Sequence, residues 1–421
     1  MRRLTVISFQ TFVVAFFIIA LCSCGRNNKV AEPYLPLVKQ ALTDTSSVAW
    51  HLLDGYEPCS ISGSIGLIGD FGPLYSLVSE FLRSDRFDNI DGREIPDELH
   101  DFAGETLSPV FDVANAPYDG YINAENIPAM REAAVSMTLA SLGSVSYSNT
   151  FDEVLTAARI PAKVLIVASP YLCRYAMRDI DTMLVSKGIE IPVLSLTDEM
   201  FRRAGERHPE GVIAVLADGR ELKYGLYKDV YGRVRGDSEH FPSYVEHADS
   251  GLDSRTAFTA FLDTYISSGA SEKISAVLVG TSSDSLNVRD LSAALEQIRT
   301  SQGLDMENYR SVLADDFEFI SGEDAVVRAC YRVLRQRNLF THRIAYPSVK
   351  AFVTVPSVSV PLENTDFGGS LSPKFKYNHS ADASMPITRV VPLSRLYLSG
   401  ERLEEVNRLV APVILNMERT E

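Results

Sequence analysis

Short apolar runs and longer amphipathic stretches alternate along most of the chain. The clearest case begins at residues 163–169, a nearly continuous apolar run of the kind found in strands buried on both faces of a parallel sheet. Residues 171–186 then show helical periodicity, Gly188 stands where a helix C-cap belongs, and 191–196 form the next apolar run. This order predicts a β-α-β unit with a right-handed crossover.

The same alternation extends to both sides of that unit. Residues 64–70 predict a strand that ends in a glycine-containing turn, and 74–82 predict an amphipathic helix. Residues 212–216 predict a strand, and the turn signal that follows predicts that 221–227 return as its hairpin partner. Beyond a polar stretch the pattern predicts a helix over 255–267, strands over 274–280 and 311–313, and helices over 288–301 and 322–336.

These alternating elements predict the α/β class. The expected architecture has three layers, with mostly parallel sheets flanked by helices and divided into two lobes. Ligands of such folds bind outside the carboxyl ends of the strands, near the point where the strand order reverses. Candidate site residues are therefore those directly after each predicted strand.

Composition and charge narrow the class of partner. Of the 421 residues 46% are hydrophobic, which is enough to bury a large core. The chain has 40 Lys and Arg against 55 Asp and Glu, a formal net charge of -15, and the sequence shows no basic stripe. This balance argues against nucleic acid as a partner.

The first residues have the pattern of an export signal. Arg2 and Arg3 precede an apolar run over 12–21, which is shorter than the roughly 20 residues that a membrane-spanning helix needs. The run ends in Leu21-Cys22-Ser23-Cys24, which resembles the lipobox of bacterial lipoproteins. The alternatives are an ordinary cleaved secretory signal or an uncleaved anchor, with Cys24 incidental.

The resemblance implies that Cys24 is acylated, with fatty acids such as palmitate, and fixes the chain to a membrane of the cell envelope. Gly25 stands where inner-membrane lipoproteins of enteric bacteria carry Asp, so an outer-membrane location is favoured. The expected segments are a signal peptide at 1–23, a short tether at 24–32, an N-terminal α/β lobe with an acidic loop region at 33–160, a main α/β lobe at 161–345, and a β-rich segment with a closing helix at 346–421.

Polar residues at predicted strand ends are the candidates for ligand binding. They are Asp70, Ser169, Tyr171, Asp198, Thr281, Ser282, Ser283 and Asp284. The Gly-Thr-Ser-Ser turn offers hydroxyls and backbone N–H groups to a polar ligand, although such turns also serve simply to cap the next helix. In organisation the chain resembles periplasmic-binding-protein-like folds, which implies capture of a small solute for a transporter or sensor.

A pair of carboxylates offers a second chemistry. Asp101 and Glu105 lie four residues apart in an acidic region, so a helix would place them on one face. Paired carboxylates in a cleft perform acid-base work on sugars. A solvated helix face is the alternative for this pair.

Metal and cofactor signals are weak. Residues 88–98 partly match a calcium-binding loop, but Phe87 stands where the first Asp ligand belongs. The Walker loop, the G-x-S-x-G elbow, the dinucleotide fingerprint and H-E-x-x-H do not occur in the sequence. The sequence therefore predicts no metal and no cofactor.

The leading hypothesis is a lipid-anchored protein of the cell envelope that binds a small polar ligand and performs no chemistry. The first alternative is an envelope hydrolase acting on carbohydrate that uses the carboxylates of residues 97–119, with Asp101 and Glu105 as the catalytic candidates. The second is an interaction protein whose body docks on another envelope component.

Overall fold

The computed structural model describes residues 35–57, 61–280, 286–366, 369–382, 386–394 and 397. All of them lie within one structural unit, Leu35–Glu421. A search of this part of the chain finds no helix with the length and hydropathy needed to cross a membrane.

The strands of the described residues form two parallel or mostly parallel sheets and two short antiparallel pairs. In chain order they are β1 (Ser64–Gly69), β2 (Thr106–Phe111), β3 (Val145–Ser146), β4 (Ala157–Ala158), β5 (Ala162–Val167), β6 (Val193–Ser195), β7 (Val212–Ala217), β8 (Ser243–Ala248), β9 (Ile274–Val279), β10 (Leu313–Ser321), β11 (Ser348–Val349), β12 (Phe352–Pro356), β13 (Thr365–Asp366), β14 (Ser370–Leu371) and β15 (Thr388–Pro392).

Helices connect most of the parallel strands. In chain order they are α1 (Pro36–Thr43), α2 (Val48–Asp54), α3 (Phe71–Arg83), α4 (Asp119–Asn123), α5 (Ile127–Leu142), α6 (Pro170–Tyr175), α7 (Met177–Lys187), α8 (Leu196–Arg207), α9 (Gly219–Lys223), α10 (Leu226–Arg235), α11 (Ser254–Ser267), α12 (Val288–Thr300), α13 (Leu304–Val312), α14 (Gly322–Gln336) and α15 (Pro373–Lys376), with a 3-10 turn at Leu362–Asn364.

The first sheet has the strand order β15-β12-β2-β1-β5-β6, and β11 also pairs with β2. Its neighbouring strands are parallel except for the antiparallel pair of β12 and β15. Every residue of β1, β2 and β5 is buried, because helices cover both faces of the sheet. This burial explains the continuous apolar runs of the sequence.

The second sheet is parallel throughout and has the order β10-β9-β7-β8. Helices α8 and α14 contact strands of both sheets. The predicted α/β class, with mostly parallel sheets flanked by helices, is confirmed.

Both sheets repeat one topology. In each, the first two parallel strands of the chain lie side by side, and the third lies on the other side of the first: β2-β1-β5-β6 in one sheet and β8-β7-β9-β10 in the other. The strand order therefore reverses between β1 and β5, and again between β7 and β9. The carboxyl ends of these four strands are the expected places for a ligand.

Two predicted strands are wrong. Residues 221–227 belong to α9 and α10, because the Asp218 side chain accepts a hydrogen bond from the Arg220 backbone N–H and caps a helix there. The strand that pairs with β7 is instead the later β8. Residues 311–312 end α13, and β10 begins at Leu313.

Candidate functional site

Asp70 and Ser169 lie at the reversal point of the first sheet, after β1 and β5 respectively. Both stand at helix N-caps, of α3 and α6, but neither side chain makes a capping hydrogen bond. The Oδ1 atom of Asp70 and the Oγ atom of Ser169 are buried without a hydrogen-bond partner among the described residues. These two side chains are thus not used to cap helices.

The Asp70 carboxyl has an unusual acidity. Burial raises the pKa of Asp70 to about 6, the nearby Asp112 carboxylate acts in the same direction, and the Ser169 hydroxyl opposes them. Ser169 is close enough to affect this pKa, although the two groups form no hydrogen bond of normal geometry. A carboxyl group with a pKa near 6 can both accept and return a proton at neutral pH.

Asp112 follows the adjacent strand β2 and is fully buried. Its Oδ1 accepts hydrogen bonds from Asn115 Nδ2 at 2.8 Å and from Thr354 Oγ1 at 2.6 Å. Its Oδ2 accepts one from the Tyr118 hydroxyl at 2.7 Å. With both oxygens bonded, Asp112 is a fixed group that orients Tyr118.

Two tyrosines complete this side of the site. The ring centroids of Tyr118 and Tyr171 are 6.3 Å apart. Burial raises the pKa of Tyr118 well above its usual value, and the Asp112 and Asp70 carboxylates add to the effect. Burial also raises the pKa of Tyr171, with Glu221 adding to it. Both phenols therefore stay protonated at neutral pH and serve as hydrogen-bond donors.

The reversal point of the second sheet, between β7 and β9, lies near Tyr171. Glu221, just beyond β7, is buried and accepts a hydrogen bond from the Tyr227 hydroxyl at 2.8 Å. Gly280 directly follows β9, and a Cβ atom there would lie 2.5 Å from the Cβ of Ala217, so only glycine fits. The pKa of Tyr171 responds to Glu221 and to Asp218, so this tyrosine links the two reversal points.

Two side-chain contacts join the carboxyl edges of the two sheets. Arg220 Nη1 lies 3.5 Å from Asp119 Oδ2. The Tyr224 hydroxyl donates a hydrogen bond to Asn123 Oδ1 at 2.7 Å. Both contacts join α4, beyond β2, to α9 and its C-cap residue Tyr224, beyond β7.

The structure brings together Asp70, Ser169 and Tyr171 among the predicted ligand-binding residues. Asp198 is not with them: it lies in the first turn of α8, where its carboxylate pairs with Arg233 through bonds of 2.9 and 2.8 Å. Thr281, Ser282, Ser283 and Asp284, and the lipidation candidate Cys24, lie outside the described residues. Sequence reasoning placed Asp112 only among the carboxylates of the acidic region 97–119, and it missed Tyr118 and Glu221 as site residues.

The predicted carboxylate pair is wrong. Asp101 lies in a turn, and its carboxylate accepts bonds from the Ser84 hydroxyl at 2.5 Å and from backbone N–H groups. Glu105 precedes β2, at the amino edge of the sheet, and forms a buried ion pair with Lys163 at 2.7 Å. No helix joins the two residues, so their four-residue spacing does not place them on one face.

Residues 88–98 form a turn. The Asp88 Oδ1 atom accepts hydrogen bonds from the backbone N–H groups of Ile90 and Asp91. Within the described residues, no group of three or more His, Cys, Asp or Glu side chains is arranged to hold a metal ion.

No family model matches the chain, and no curated protein matches it. Similar solved structures include a glutamate racemase from Bacillus anthracis, 15% identical over 69% of this chain and 88% of that one, with a TM-score of 0.41. A glutamate racemase from Francisella tularensis is 11% identical over 72% and 90%, with a TM-score of 0.41. A maleate cis-trans isomerase from Nocardia farcinica is 12% identical over 66% and 93%, with a TM-score of 0.34.

These similar structures are enzymes, and this finding corrects the hypothesis drawn from the sequence. The predicted protein that binds a ligand without chemistry is wrong on this ground. The hydrolase alternative loses its candidate acid-base pair, because the structure does not bring Asp101 and Glu105 together. At such low identities and TM-scores no residue role passes from those proteins to this chain.

The raised pKa of Asp70 predicts a pH-dependent gain in stability for Asp70→Asn. The folded-state pKa of about 6 exceeds the unfolded value of 3.8, so ionisation of this carboxyl opposes folding as pH rises through that window. Asparagine carries no such charge. We expect the variant to be more stable than the wild type at pH 8, by up to about 3 kcal/mol, and equally stable near pH 3. Urea unfolding at both pH values checks this, and an equal difference at both would contradict it.

Proposed function

We propose that the chain is an enzyme that transfers a proton to or from a small polar substrate in the cleft between the two sheets. Asp70 is the acid-base group. The observation that carries the proposal is its carboxyl: it lies at the reversal point of the sheet, caps no helix, and has one buried oxygen without a partner. Strongly perturbed carboxyl groups in such clefts are characteristic of catalytic acids and bases.

The neighbouring groups have supporting roles. With a pKa of about 6, Asp70 is mostly ionised at neutral pH and acts as the base. Tyr171 supplies a neutral O–H donor, and Ser169 supplies a hydroxyl without a partner among the described residues. Asp112 holds Tyr118 in place through a bond of 2.7 Å.

The charges of the cleft favour a substrate that carries an amine. Asp70, Asp112, Asp119, Asp218 and Glu221 surround the site, and Arg220 is the basic group that contacts two of them. An ammonium group would compensate part of this negative charge. Amino acids and other small amines are thus the first substrates to test.

The test follows proton transfer directly. The purified chain is incubated in D2O with a panel of amino acids and small amines, and deuterium incorporation at substrate C–H positions is measured by proton NMR. The expected result is incorporation with one chemical class and a pH dependence with an inflection near 6. A carbon-13 NMR titration that places the pKa of Asp70 near 4 would remove the basis of the proposal.

We also propose, from residues 1–24 of the sequence, that Cys24 is acylated and anchors the chain in the cell envelope. In a bacterial host, the full chain is expected to incorporate labelled palmitate and to partition with membranes. Cys24→Ala should abolish the labelling, whereas Cys22→Ala should retain it. Equal labelling of the Cys24→Ala variant would exclude this site of attachment.

A further inference from the structure

Arg159 carries a buried charge that no acidic side chain among the described residues neutralises. Its side chain is 6% exposed and stacks on the ring of Phe352, with the guanidinium carbon 3.9 Å from the ring centroid. Its Nη2 makes only long contacts, of 3.4 Å to Ser108 Oγ and 3.5 Å to Ser141 Oγ. The Nε and Nη1 atoms are buried and have no hydrogen-bond partner among the described residues.

The guanidinium stays charged in this place. Burial lowers the pKa of Arg159 to about 9, and no neighbouring charged group contributes to the shift. The side chain is therefore protonated at neutral pH. A buried charge without a counterion strongly opposes folding, so a compensating negative group is expected at the free N–H donors.

The groups around the Arg159 guanidinium favour binding of an anion over binding of a cation. Hydroxyl groups reach the guanidinium from Ser108 on β2 and Ser141 on α5. Ser146 on β3 pairs with Ala157 on β4, which lies two residues before Arg159 in the chain. The Oγ atom of Ser146 is buried without a hydrogen-bond partner in the described part of the chain. The Ser141 hydroxyl already donates to the Met137 carbonyl, so the free donors are the N–H groups of the guanidinium, and the ion pairs between described residues do not include Arg159.

We propose that Arg159 binds a small monovalent inorganic anion of the chloride class, held by the free Nε–H and Nη1–H groups of its guanidinium. Burial of every one of these groups favours a small anion over an organic carboxylate or a phosphate ester. The site lies beneath the first sheet, between β2, β12 and α5, and it stabilises the fold independently of the proposed reaction.

Thermal unfolding tests the proposal on the purified chain. Melting temperatures are compared in sodium chloride and in sodium gluconate at equal ionic strength, because screening of the acidic chain is then the same in both. We expect a melting temperature about 2 °C or more higher in chloride, rising with its concentration. Equal melting temperatures in the two salts would overturn the proposal.

Two variants locate the effect. Arg159→Met keeps an unbranched side chain over Phe352 and removes the charge, so it should abolish the difference between the salts without loss of stability in gluconate. Arg389→Met is the matched control, because Arg389 also stacks on an aromatic ring, that of Tyr147, but donates to backbone carbonyl groups. A chloride effect that persists in Arg159→Met would place the anion elsewhere and overturn the proposal.

A diffraction experiment gives a readout that does not depend on the variants. Crystals of the wild-type chain soaked in bromide are expected to show an anomalous peak within hydrogen-bonding distance of Arg159 Nε and Nη1. A peak at surface sites alone, with none at Arg159, would overturn the proposal.

Discussion

Replacing Asp70 with asparagine is expected to slow deuterium incorporation into the substrate by about 100-fold or more, the usual contribution of a positioned acid-base group. Asparagine keeps the shape and burial of the side chain but cannot take up the proton. Fold and stability should be retained, since the variant loses a carboxylate whose ionisation opposes folding. The measurement is the initial rate of exchange at saturating substrate.

The matched control is Asp253→Asn. The Asp253 carboxylate caps α11 by accepting hydrogen bonds from the backbone N–H groups of Arg255 and Thr256. Asp253→Asn therefore makes the same Asp-to-Asn substitution at a residue whose role is helix capping. Its exchange rate should equal that of the wild type. If Asp70→Asn exchanges deuterium as fast as the wild type and the Asp253→Asn control, the proposed acid-base role of Asp70 is wrong.

Lys163→Met is expected to cause the largest loss of stability, about 3 to 5 kcal/mol. The ion pair between Lys163 and Glu105 is almost fully buried, at 0% and 1% side-chain exposure. Lys163 Nζ also donates to the carbonyl groups of Ile61 at 3.0 Å and Leu339 at 2.7 Å. The variant leaves the Glu105 carboxylate buried without its counterion. Urea unfolding at pH 7 measures the effect.

Two further variants separate the buried charge from simple loss of packing. Lys163→Met combined with Glu105→Gln removes both charges and keeps an acceptor for the Thr341 backbone N–H, so it should be more stable than Lys163→Met alone. Lys187→Met breaks the solvent-exposed pair with Asp54 and should cost less than about 1 kcal/mol. Losses that simply add in the double variant would exclude a penalty from the unpaired charge.

The continuous apolar runs at 64–70, 163–169 and 274–280 predict strands that the structure confirms, because burial on both faces of a parallel sheet demands such runs. Asp70 and Ser169 were found for the same reason, as the polar residues that end the first two of those runs. Their freedom from helix capping could not be predicted, since Ser195 in the same type of position does cap its helix.

Other features had no readable signal. Pro109 lies inside the central strand β2, a position that proline rarely occupies, and acidic segments surround it, so Asp112 was not recognised as a strand-end residue. Asp218 caps α9, but the sequence around it is also typical of a hairpin turn, so the helix was not predicted. The repeated strand order of the two sheets depends on long-range pairing and leaves no repeat in the sequence.

That repeated strand order also determines which side chains would surround a molecule bound between the two sheets. Two sheets of equal topology meet at their carboxyl edges, yet they belong to one chain and carry different side chains there. A symmetric pair of identical subunits would have to offer the same groups twice. Here Asp70 and Ser169 stand on one side, and Gly280 and Glu221 on the other. In the proposed reaction the two faces of a bound molecule would therefore meet unlike surroundings, which would allow the site to distinguish mirror-image substrates.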